Sequence, residues 1–218
     1  MATRLLHPAS SGFGRVAVAC FALLALISEG TFVRAQCTVP QSSLFTGWPA
    51  RDVYYDLSSV TIRKPDGSVH TDATDEARAQ MKAAFTEWNG ALLAEGKGIK
   101  FIEATNESQQ FLAEHAGIKV TVGPLPDSPL TAAQTSRTGY NSAVPKTVDK
   151  APMVFDLEDT KVFDRTKSGW STGIKKVMLH EIGHSLGLDD TTTACGSDNG
   201  GTVMPASDKV GYVWERPT

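Results

Sequence analysis

The chain has 218 residues, 41% of them hydrophobic, with 21 Lys or Arg against 24 Asp or Glu, giving a formal charge of −3. That length suffices for one domain with a proper core. The mild acidic excess argues against nucleic acid or an anionic membrane surface as the partner.

Residues 1–35 read as a signal peptide. Arg4 and Arg15 supply a positive start, Val16 to Ile27 is an apolar run, and Val33-Arg34-Ala35 offers small residues where a signal peptidase cuts. The run is about a dozen residues, short of the ~20 that a spanning helix needs. Cys20 raises lipidation, but Ala17 stands where leucine is usual. The expectation is a secreted monomer cut after Ala35, leaving 36–218 as a single domain. The leader takes Arg4, Arg15, Arg34 and Glu29 with it, so 18 basic and 23 acidic residues remain, a charge of −5. Of three cysteines, Cys37 and Cys195 stay. An even pair in an oxidising compartment predicts one disulfide. The alternative, a Cys37 thiolate that keeps a zinc site latent, would strand Cys195.

In chain order, Val53, Tyr55 and Leu57 alternate with polar neighbours as in a half-buried strand. Pro65-Asp66-Gly67 is a turn. A helix should open near Asp72 or Thr74, carry Ala77, Met81, Ala84, Phe85, Trp88 and Leu92 on one face, and end at Gly96 and Gly98. That aromatic stripe reads as packing on a sheet. Ile99 to Ala104 and Ile118 to Val122 are strands, and Glu107 to Ala116 fits a short helix or a loop. His70 and His115 have no partner at ligand spacing and read as surface or turn residues. Leu130 to Thr138 has the weak alternation of an edge strand, Gly139 to Lys150 reads as a polar loop, and Met153 to Leu157 as a buried strand. The fold class is therefore α+β or mixed α/β.

The chemistry concentrates in HEIGHSLGLDD, His180 to Asp190. With Lys175 to Leu186 helical, His180 and His184 lie one turn apart on one face, a spacing that can hold one Zn²⁺. Glu181 sits beside them, within reach of a metal-activated water. Gly187 can take the left-handed conformation that ends the helix and returns Asp189 and Asp190 toward the metal. Thr202-Val203-Met204-Pro205 then puts a methionine in a tight turn. HExxH alone arises by chance in roughly one such chain per hundred or two; the added glycine and aspartate make coincidence negligible. Asp156, Glu158, Asp159, Asp198 and Asn199 have donor chemistry for Ca²⁺, but acidic turn residues are usually just solvated, and no calcium site is expected.

HEIGHSLGLDD followed by VMP resembles the metzincin clan of zinc endopeptidases, and with Asp in third place it is most similar to the snapalysin-like bacterial proteases. The resemblance covers about 25 residues. It implies His180, His184 and Asp190 as zinc ligands, Glu181 as general base and acid, Gly187 as the turn and Met204 as the Met-turn residue. It also implies a metzincin-like twisted mixed sheet with a backing helix, an active-site helix and a small C-terminal part. The usual third ligand of the clan is His, and only 14 residues follow Met204. On chemistry alone Asp189 rivals Asp190. The implied activity is hydrolysis of a peptide bound as an extended strand. The alternatives are a silent zinc-holding module that binds protein, and a gluzincin-type site using Glu215.

Overall fold

The computed structural model describes residues 41–125, 132–139, 145–157, 163, 165–166 and 169–190. The leader and its cut after Ala35, Cys37, Cys195, Met204, Glu158, Asp159, Asp198, Asn199 and Glu215 lie outside the described residues.

The elements are β1 (Asp52–Asp56), α1 (Thr71–Ala94), β2 (Lys100–Glu103), α2 (Glu107–Ala116), β3 (Ile118–Val122), β4 (Ala133–Thr135), β5 (Thr138–Gly139), β6 (Val148–Lys150), β7 (Met153–Phe155) and α3 (Trp170–Ser185). Five strands form one sheet in the order β2-β1-β3-β7-β4. The first four are parallel, and β4 runs antiparallel to β7 at the edge. Parallel neighbours need crossovers: α1 lies between β1 and β2 and α2 between β2 and β3, while the chain between β3 and β7 holds β4, β5 and β6. The architecture is mixed α/β, with three helices among the described residues.

The β1 alternation turns Val53 and Tyr55 into the core, where Tyr55 stacks on Phe85 with centroids 3.8 Å apart and Phe85 meets Phe101 at 5.3 Å. The full predicted stripe of α1 is buried, from Ala77 to Leu92. Its start is Thr71, ahead of the expected Asp72 or Thr74, because Thr74 turns inward and its hydroxyl accepts a hydrogen bond from Ile62 N at 3.0 Å. Asn89 satisfies both backbone groups of Phe101 at 2.8 Å each, tying α1 to β2. Segment 107–116 is helical: Asn106 Oδ1 caps Gln109 N at 3.0 Å, while Gln109 Oε1 accepts from Thr105 N at 2.8 Å.

Two expectations change. The segment Gly139 to Lys150 contains strand as well as loop, since β6 pairs antiparallel with β5 and Val148 is fully buried. Among the described residues of Leu130 to Thr138, the edge strand of the sheet spans Ala133–Thr135, and Thr138 already belongs to β5. Strands this short carry too little alternation to register in sequence. No described helix is long and apolar enough to cross a membrane.

Candidate metal centre

α3 starts at Trp170, five residues before the expected Lys175, behind Gly169 at φ +83°. Ile174, Val177, Met178, Leu179 and Ile182 are buried and hold it against α1. Two side chains of α1 fix its position further. Trp88 Nε1 donates to the Leu179 carbonyl at 2.9 Å, and Glu87 pairs with Lys175 at 2.6 Å. The first of these bonds anchors the backbone one residue before His180.

The helix ends as the glycine requires. Gly187 adopts φ +83°, its N–H meets the His184 carbonyl at 2.9 Å, and Leu188 N reaches back to the Gly183 carbonyl at 3.1 Å. This is the paired closure of a Schellman turn. The segment from Gln41 to Trp48 lies over it: Ser42 N and Gln41 Nε2 both donate to the Gly187 carbonyl, at 2.7 and 2.6 Å. A Cβ on Gly187 would stand 2.6 Å from Gly47 N and 2.9 Å from the Phe45 carbonyl.

The turn brings Asp190 back over the helix. Its Oδ1 lies 3.2 Å from His180 Nε2 and 3.4 Å from His184 Nε2. The two imidazoles stand edge to face, centroids 4.6 Å apart. His184 Nδ1 is 3.0 Å from the Leu188 carbonyl. A carbonyl only accepts, so Nδ1–H is the donor, and in the neutral imidazole this leaves Nε2 as the lone-pair atom on the side of the aspartate. Asp190 Oδ1 is itself buried without a hydrogen-bond partner. In that form a cation between Nε2 and Asp190 Oδ1 would satisfy both atoms. Tetrahedral ligands at 2.0–2.1 Å from a metal stand about 3.3 Å apart, close to both separations here.

Glu181 is the second carboxylate, 4% exposed. Donor atoms of His180, Glu181 and His184 lie within 4.8 Å of one another, a group that can hold a metal ion. Glu181 Oε2, however, already accepts a hydrogen bond from Thr135 Oγ1 on β4 at 2.5 Å. Both carboxylates, Glu181 held by Thr135 and Asp190 with its unsatisfied Oδ1, thus stand beside the two imidazoles. Burial pushes the Glu181 carboxyl up, with His184 and the Thr135 hydroxyl acting in the opposite direction. Burial also raises Asp190, opposed by His184. A bound cation would favour the ionised form of both.

Asp189 faces elsewhere. Its Oδ1 meets Arg137 Nη2 at 3.3 Å, and Arg137 Nη1 donates to the His184 carbonyl at 3.3 Å. The structure thus gathers His180, Glu181, His184 and Asp190, and separates Asp189 from them. His115 stacks on Phe111 on the outer helix α2, and His70 precedes α1; neither joins the cluster. Sequence reasoning missed Trp88, Thr135 and Arg137 as supports of the site. Nothing local marks them, since each acts on a partner far along the chain. No protein-family model matches the chain, and no curated protein matches it either.

Proposed function

We propose that the chain is a secreted zinc-dependent endopeptidase of the metzincin type, in its snapalysin-like form with an aspartate ligand. The observation that carries this reading is the convergence of His180, His184 and an unsatisfied Asp190 oxygen, with Glu181 held alongside by Thr135. Zinc suits two imidazoles and one carboxylate and, when bound, polarises a carbonyl and acidifies water. His184 is held in the ligating tautomer by the Leu188 carbonyl. Glu181 takes the proton of the attacking water and returns it to the leaving amine. The Thr135 hydroxyl orients that carboxylate from the antiparallel edge of the sheet. Among the described residues β4 pairs only with β7, and an extended peptide adding to its other side would bind largely independently of side chains.

Glu181→Ala tests the assignment. The mutant is expected to retain one zinc per chain and lose peptide cleavage by 10²–10⁴-fold, the usual value of general acid–base assistance. His184→Ala should lose both. Equal cleavage by wild type and Glu181→Ala, or none by either, overturns the peptidase reading; zinc binding without cleavage would leave a protein-binding zinc module as the better account.

A further inference from the structure

HEIGHSLGLDD ends in two adjacent aspartates with the same side-chain chemistry, yet only one of them faces the imidazoles. The difference lies in a residue from another part of the chain. Arg137, just beyond β4, is largely buried, with its side chain 17% exposed. One arm of its guanidinium reaches Asp189 Oδ1 and the other the carbonyl of His184, each at 3.3 Å. Its flat face lies 4.9 Å from the ring centre of Phe45, in the segment that covers the helix-ending turn. Arg137 thereby touches the ion-pair partner next to Asp190, the backbone of one imidazole residue and the N-terminal cover.

We propose that Arg137 is a positioning residue that sorts the two aspartates, engaging Asp189 so that Asp190 alone faces His180 and His184. This rests on the metal reading of the site. A planar guanidinium holds a carboxylate and a carbonyl in one plane, which fixes direction as well as charge. Without it, Asp189 would be a free carboxylate one residue from the donor. It would compete for the cation in a poorer geometry, and the His184 carbonyl would lose a donor at the helix C-terminus. Lysine cannot reproduce the two-armed contact.

Zinc affinity of the full mature chain, measured by competition with a chromophoric chelator, provides the test. Loss of an outer partner of a metal ligand commonly weakens binding 10–100-fold, and Arg137→Ala should fall in that range. Arg137→Lys should recover only part of it. Adding Asp189→Asn to Arg137→Ala should restore most of the affinity, because the rival carboxylate is gone. With Co²⁺ in place of zinc, Arg137→Ala should alter the visible absorption bands, and the double variant should bring them back.

Unchanged affinity in Arg137→Ala overturns the proposal. So does a loss that Asp189→Asn fails to repair, which would mark Arg137 as a general structural support. Should Arg137→Ala not fold, Asp189→Asn alone decides: near-wild-type affinity is expected, and loss of the metal refutes the sorting role. Absence of zinc binding by the wild type would instead overturn the metal reading, and this inference with it.

Discussion

Glu181 illustrates at the scale of one residue how a site can be costly to the empty protein. Its carboxyl is raised above its ordinary 4.5, chiefly by burial. An acid raised in the folded state keeps its proton there after the unfolded chain has released it. The native state is therefore relatively weakened as pH rises above about 4.5. Glu181→Gln cannot ionise, so its stability relative to wild type should grow from pH 4 toward neutrality when a chelator is present. Urea denaturation of both proteins across that range measures the difference. Saturating zinc should shrink it, because the cation favours the carboxylate. A difference that is flat with pH would contradict the assigned direction.

Helices α1 and α3 set two glycines in opposite circumstances. Gly187 closes α3 at φ +83°, with backbone atoms crowding the place of any Cβ. Gly187→Ala incurs left-handed strain of about 1–3 kcal/mol and displaces the Gln41 to Trp48 segment as well. It should lower both the melting temperature and the zinc affinity. Gly90, by contrast, lies exposed within α1, and nothing stands within 4 Å of its ideal Cβ. Gly90→Ala should stabilise by about 0.5–1 kcal/mol through reduced backbone entropy in the unfolded chain and leave zinc affinity unchanged. Thermal melts with and without zinc separate the two. A Gly187→Ala protein as stable as wild type would contradict the packing described for the turn.

Across the whole molecule, the covering segment joins the site to the rest of the fold. Gln41 bridges antiparallel to Leu188, the Leu44 and Gly47 carbonyls accept from Lys146 N and Val148 N, and Thr46 N donates to the Lys146 carbonyl. The bridge starts the chain toward Cys37, four residues before Gln41, and toward Cys195, seven after Leu188, from adjacent points. A disulfide between these cysteines would fasten the cover over the turn, contributing about 2–4 kcal/mol in the chain-entropy account. Titration of free thiols in the denatured mature protein should find none. Two free thiols would dismiss the bridge, and reduction of the bonded form should lower stability together with zinc affinity.

Local spacing was enough to read much of this protein. The stripe from Ala77 to Leu92, the alternation of Val53 and Tyr55, and His180 and His184 one turn apart all depend on helix and strand periods, which are properties of neighbouring residues. Even Gly187 was legible, because a left-handed helix end favours glycine. The sequence could not choose between Asp189 and Asp190 by chemistry, nor reveal that Trp88, Thr135 and Arg137 support the centre. Those contacts span 91, 46 and 52 residues. They exist because the sheet order carries β4 to the edge beside α3 and packs α1 along it. Periodicity tells which residues share a face, but only the tertiary arrangement supplies what that face meets, and here that meeting left Asp190 facing the imidazoles and gave Asp189 to Arg137.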